Sequence, residues 1–255
     1  MEIPFISITD FTDSWQVQTM LTIAKRFNGP EKDLRKLGVG VMMSYKTLHG
    51  LPTKWSRAFP PKEKIAEIFF NDPLALNVLH YADYENQSLF ISLCEAANWG
   101  GKNLQAIQLD MIWPHPADIL EFRANFTRLK TIMQIGAKAF EAVNSQPKQL
   151  IARLQPYELC LDYVLLDKSM GQGKLMDASF LLSFLKPLSK DMPHLGLIVA
   201  GGLGPDTLHL VKPIIKKFPQ ISLDAQGRLR PSKNALDPID WQMAGSYLEQ
   251  AYQLF

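Results

Sequence analysis

The chain predicts an α/β protein, a (βα)8 TIM barrel built as a single domain over residues 1–255. Three observations carry this. Eight short apolar runs alternate with eight helical segments and no break in composition separates them, the pattern of a parallel sheet with crossover helices. Eight such units in 255 residues match the length of a closed barrel. The last two strands, within LGLIVAGGLGPDTLHLVKPIIKKFPQISLDAQGRLR (residues 195–230), each break at glycine. A doubly wound open sheet is the rival, and it would place a Gly-rich fingerprint after strand one. Thr9-Asp10-Phe11 stands there instead, without glycine.

Taken in order, Pro4 to Thr9 is a short strand, and Asp13 is placed to N-cap a helix from about Ser14 to Phe27. Val39 to Met43 is the second strand, followed by a polar loop and a helix opened by Pro60-Pro61. Leu74 to Tyr81, Leu104 to Leu109, Thr131 to Ile135 and Tyr163 to Leu166 are strands three to six. Helices at about Gln87–Trp99, Ala117–Arg128, Pro147–Leu154 and Ala178–Leu188 follow them. Leu195 to Ala200 is the seventh strand, buried on both faces. An amphipathic helix through Leu208, Val211, Ile214 and Ile215 leads to the eighth strand, Ile221 to Leu223. A helix from Pro238 to Tyr252 follows.

Bulk properties narrow the function. The composition is 47% hydrophobic and 20% charged, ordinary for a globular protein. Lys and Arg number 27 against 25 Asp and Glu, which offers no electrostatic case for nucleic acid. No apolar run approaches the ~20 residues that span a bilayer. The start, MEIPFISITDFTDSW, lacks the basic region of a signal peptide. A cytoplasmic monomer or homodimer without membrane contact is expected. Cys94 and Cys160 lie far apart without metal-ligand spacing and read as buried free thiols. No short ligand motif supports a metal, and no cofactor is expected.

In a barrel the chemistry sits at the C-terminal ends of the strands. The polar residues there are Ser7, Thr9, Asp10, Ser44, His80, Gln108, Asp110, Gln134, Asp167 and Asp224. Asp167 is the candidate general acid: it ends the apolar run YVLL, where desolvation raises a carboxyl pKa. Helix capping is its plainer reading. His80 could serve as base, with Asp10 or Asp110 beside it, or could be a packed histidine. Arg57, on the loop leaving strand two, could grip a carboxylate or phosphate. Gln108, Asp110, Gln134 and Gly171 complete the candidate substrate-binding set. Gly201, Gly202, Gly227 and Arg228 form a candidate anion cradle, since bare backbone N–H groups at glycine turns bind phosphate. His49, His115, His194 and His209 read as solvated.

Four segments, in order, resemble phosphoribosylanthranilate isomerase, a (βα)8 barrel of tryptophan biosynthesis. VLLDKSMGQGKLMD is similar to that family's strand-six segment and IVAGGLGPDTL to its SGGLxPxN segment. ISLDAQGRLRPSKNALDPI resembles its strand-eight end, and WSRAFPPKEKIAEI the segment after strand two. The resemblance implies an isomerase acting on a phosphorylated sugar or sugar adduct. It makes Asp167 the acid that opens the ribose ring, Arg57 the clamp on the substrate carboxylate, and Gly202 and Gly227 part of the phosphate site. The family's strand one carries KICG, whose cysteine is the base. This chain reads FISITD, and a serine hydroxyl cannot replace a thiolate without a base of its own. The alternative expectation is therefore an inactive barrel that binds a phosphorylated metabolite.

Overall fold

A computed structural model describes residues 2–28, 34–84, 88–168 and 175–255. Eight parallel strands close into a barrel in sequence order: β1 (Phe5–Thr9), β2 (Lys36–Ser44), β3 (Ala75–Ala82), β4 (Ala106–Asp110), β5 (Lys130–Gly136), β6 (Tyr163–Asp167), β7 (Gly196–Val199) and β8 (Ser222–Ala225). The helices around them are α1 (Ser14–Phe27), α2 (Tyr45–Leu48), α3 (Ile65–Ile68), α4 (Leu89–Gly100), α5 (Pro116–Asn125), α6 (Ala137–Glu141), α7 (Pro147–Leu154), α8 (Ala178–Asp191), α9 (Lys212–Ile215) and α10 (Trp241–Tyr252). No helix among the described residues is long and apolar enough to cross a membrane.

Local chemistry explains the element ends. Asp13 caps α1 in a capping box with Gln16, whose side-chain oxygen accepts from the backbone N–H of Thr12 and Asp13 at 2.8 and 3.0 Å. Two expected helices come out shorter. After Pro60-Pro61 a 3-10 turn over Lys62–Lys64 leads into the single turn of α3. Phe69 then goes extended, and the Phe69 and Phe70 carbonyls accept from Asn103 and Asn77 side chains instead of continuing the helix. After β7 the expected helix divides into a 3-10 turn, Leu208–Val211, and α9, because Pro213 has no N–H to continue the ladder.

Period-two alternation sorts the strand residues into two shells. Outward-facing Ile6, Ile8, Val39, Val41, Leu79, Ile107, Leu109 and Leu166 pack in the large core under the helices. Inward-facing Phe5, Leu76, Val78, Ala106, Ile132, Tyr163, Leu165, Ile198 and Ala200 fill the barrel itself. Two residues further along the strands the interior turns polar: Thr9, His80, Gln108, Gln134, Asp167 and Asp224 are all buried. The register sets this layer, with His80 opposite Gln108, Ala82 opposite Asp110 and Gly136 opposite Asp167. Cys160 is buried in the turn before β6 and Cys94 half-buried in α4, both as free thiols. Burial pushes Cys160 up to about 11.

Candidate active site

The polar layer floors a cavity of about 540 Å³ at the C-terminal ends of the strands. One wall is aromatic and basic, with Tyr45, Lys46, Lys54, Trp55 and Phe59 from the chain after β2. A second wall is backbone, with Gly201 and Gly202 after β7 and Gly227 after β8. Between them His80, Asp110, Gln134, Asp167 and Asp224 reach the cavity from β3, β4, β5, β6 and β8.

Asp224 has a displaced pKa. Burial pushes its carboxyl up to about 6, and the Asp167 carboxylate adds to the rise, while His80 and the hydroxyls of Thr9 and Ser7 oppose it. Thr9 Oγ1 donates to Asp224 Oδ1 at 2.9 Å. A carboxyl with an acidity near 6 exchanges protons readily at physiological pH. Asp167, at the end of β6, is 8% exposed.

His80 is held from two sides. The Gln108 amide nitrogen lies 3.2 Å from His80 Nδ1 and also donates to Gln134 Oε1 at 2.9 Å. On the other side Asp110 Oδ2 is 3.5 Å from His80 Nε2. Burial works against the imidazolium, but Asp110, then Asp224 and Asp10, outweigh it and raise the pKa of His80 above its ordinary value. Tyr84, after β3, donates its hydroxyl to Asp110 Oδ1 at 2.5 Å. Burial and the Asp110 charge push the Tyr84 phenol well up, so it remains a donor.

On the backbone wall, Gly201 and Gly202 have φ of +99° and +69°, a region where side chains are strained. Their N–H groups have no acceptor among the described residues. Gly204 serves packing. A Cβ there would lie 2.9 Å from both the Cβ and the carbonyl oxygen of Arg228, so its absence lets the loops after β7 and β8 touch. Arg228 is buried and paired with Asp206 at 3.0 Å.

The structure therefore brings Asp167, His80, Asp110, Gln134, Gly201, Gly202, Gly227 and Arg228 to one cavity, with Gln108 directly behind it. It puts Asp10 and Arg57 elsewhere. Gly40 O accepts from the N–H of both Asp10 and Phe11, and Asp10 adopts φ +96°. Its carboxylate pairs with buried Arg230 and accepts from Gln226 at 3.0 Å. Asp10, Arg57 and Arg230 line a neighbouring cavity of about 700 Å³ beside the mouth. The charge of Arg230 is thus spent inside the protein rather than at the rim. Gly171 lies outside the described residues. Among the described residues, no group of three or more His, Cys, Asp or Glu is arranged to hold a metal ion.

Sequence reasoning gave Asp224 a place at the mouth but no role, singled out the basic loop Lys54-Trp55-Ser56-Arg57 for its arginine alone, and passed over Tyr84 and Lys46. Parity would have raised Asp224. It stands two residues beyond inward Ser222 and opposite Ser7 of β1, where a side chain must enter the barrel. Tyr84 and the basic wall stand on turns beyond the strand ends, where no such period applies.

A closed (βα)8 barrel with its polar residues gathered at the strand C-termini defines a broad class of proteins, mostly enzymes. Solved structures agree on the fold. The chain is similar to N-(5'-phosphoribosyl)anthranilate isomerase from Pyrococcus furiosus, with 17% identity, a TM-score of 0.61, and 98% of this chain and 99% of that one covered. It is also similar to active domain 2 of a thermostable chitinase from Pyrococcus furiosus, solved with chito-oligosaccharides, with 11% identity, a TM-score of 0.58 and 99% and 96% covered. No family model matches the chain, and no curated protein does.

Proposed function

We propose that the chain is an isomerase-type barrel enzyme acting on a phosphorylated sugar or sugar adduct. Asp167 is its general acid and Asp224 its base, while the Gly201-Gly202 and Gly227 turns hold the phosphate. The observation that carries this reading is the convergence, in one cavity, of two buried carboxyls from β6 and β8 with acceptor-free backbone N–H groups at two left-handed glycines. Bare N–H groups suit an anion. A carboxyl with an acidity near 6 suits proton abstraction near neutral pH. Asp167 gives a proton to the sugar ring oxygen as the C–O bond breaks, and Asp224 takes one from the adjacent carbon. The proton count balances, so no co-reactant is required. The resemblance to phosphoribosylanthranilate isomerase motifs at β6 and β7 adds weight. Asp224 stands where the missing strand-one cysteine leaves the chemistry without a base, since Ser7 and Asp224 are register partners.

The test is turnover of a panel of phosphorylated aldoses and their N-linked adducts, together with phosphate binding by calorimetry. Asp167→Asn is expected to lower turnover by about 10²- to 10⁴-fold, the usual worth of a positioned acid. The wild-type rate should rise through about pH 6 as Asp224 ionises. Binding without turnover of any member would favour the inactive metabolite-binding barrel, and absence of phosphate binding would overturn the reading.

A further inference from the structure

We propose that His80 is held as a neutral imidazole protonated on Nε2, and that it offers this N–H to an uncharged oxygen, hydroxyl or carbonyl, of the ligand. Gln108 and Gln134 act as the positioning residues that fix this state. The inference deepens the reading above and rests on it only for the nature of the ligand.

The argument begins with the donor inventory. A carboxamide nitrogen carries two hydrogens and cannot accept. In Gln108 one is committed to Gln134 Oε1 at 2.9 Å, and the other faces His80 Nδ1 at 3.2 Å. Nδ1 must therefore present its lone pair. The ring proton then sits on Nε2, the side facing a carboxylate, which is where Asp110 favours it. Two contacts on opposite edges of the ring thus select the same tautomer.

The amide also bears on charge. An imidazolium would set Nδ1–H against the Gln108 N–H, and relieving that requires both glutamine amides to turn over together. Asp110 on β4, Asp224 on β8 and Asp10 after β1 pull His80 towards the charged form and together outweigh burial. Against that pull stands the Gln108 N–H facing Nδ1 at 3.2 Å, which a protonated Nδ1 would meet head-on, and this contact is what holds the ring neutral.

The remaining observation concerns Nε2 itself. It is buried in a residue 5% exposed, it lines the cavity, and at 3.5 Å from Asp110 it makes no hydrogen bond. A buried donor left unmade costs about 1–3 kcal/mol, and because His80 lines the cavity a ligand held there can supply the partner. A neutral imidazole N–H polarises an uncharged oxygen without surrendering its proton. The phosphate is gripped at the other wall, so the oxygen at His80 belongs to the sugar carbons rather than to the anion.

The experiment is ring ¹⁵N spectroscopy of the histidines in the whole protein. The chain has five histidines. The other four are exposed, so the His80 signals stand out, and His80→Gln assigns them. Between about pH 6 and 8, where a free histidine titrates, His80 should keep the pattern of a neutral ring carrying its proton on Nε2. A ring charged at neutral pH, or a proton on Nδ1, overturns the proposal without any variant. Gln108→Glu, which offers Nδ1 an acceptor, should raise the pH at which His80 charges by about one or more. A folded variant with unchanged His80 signals overturns the positioning role.

Saturation with ribose 5-phosphate should move the Nε2–H resonance, and inorganic phosphate alone should move it much less. No movement with ribose 5-phosphate removes the donor role. The amide signals of Gly201 and Gly202 separate the two ideas. If they move and His80 does not, the phosphate reading stands and this one fails. If His80 shows the expected tautomer and the glycine amides stay still, the phosphate reading fails instead.

Discussion

The lower and upper layers of the barrel interior share the strands β3 to β6, two residues apart on each, and obey opposite energetics. In the lower layer Leu76, Val78, Ala106, Ile132, Leu165 and Ile198 are apolar and buried, and each gains from leaving water. In the upper layer Thr9, His80, Gln108, Gln134, Asp167 and Asp224 are almost as buried, and each costs free energy unless a partner offsets it. The lower layer holds the barrel closed. The upper layer leans on that closure, because its carboxyls and imidazole could not be kept dry on a looser frame. The difference teaches that stability and chemistry are stacked along the strands rather than spread over the molecule.

The comparison can be broken from below. Ile132→Ala removes a fully buried side chain and should cost about 2–5 kcal/mol of unfolding free energy. Denaturant melts give the loss, and phosphate titration on the folded variant should give unchanged affinity. A variant that loses affinity while staying folded would mean the two layers are not separable.

From above, the expected sign reverses. Asp224 has a folded acidity of about 6 against an ordinary 3.8, so the fold favours its protonated form. The penalty is absent below about pH 4, grows as pH rises through the interval between those values, and is constant above it. At neutral pH and beyond it amounts to roughly 3 kcal/mol. Asp224→Asn keeps an acceptor for Thr9 and removes the charge. It should therefore stabilise the protein by an amount approaching that figure at pH 8 and by little at pH 4, while abolishing turnover. Thermal melts across pH read the gain directly. Equal stabilisation at both ends would deny the buried charge.

The smallest effect belongs to the rim. Gly202→Ala forces a side chain into the left-handed region at φ +69° and should cost about 1 kcal/mol, with weaker phosphate affinity as the second readout. Stability lost without any change in affinity would reduce the glycine to a turn former.

The eight strands were legible because each is a run of apolar residues bounded by turn residues, and the closed barrel of the structure follows that reading element by element. Strand-end residues with inward parity were legible too: Asp167, Gln134 and His80 could be named because a period of two carries a side chain to one face. Asp10 lies one residue past the end of β1, where the period stops, and its left-handed backbone takes the carboxylate to Arg230. Arg57 lies far out on a long connection, in the 3-10 turn Lys54–Arg57, and that turn brings Lys54 and Trp55 to the mouth and Arg57 to the neighbouring cavity. Nothing in the order of residues along a loop states which of them turns inward. The Gln108–His80 contact was hidden for another reason, since it depends on the register between β3 and β4.

The missing side chain at Gly204 has a consequence for anyone who would re-engineer this protein. The loops after β7 and β8 meet backbone to side chain at that point, with no room for even a methyl group. They behave as one replaceable cassette. Transplanting the first without the second, or diversifying position 204 in a library, would pry the pair apart, whereas moving both together between scaffolds carries the whole backbone wall intact.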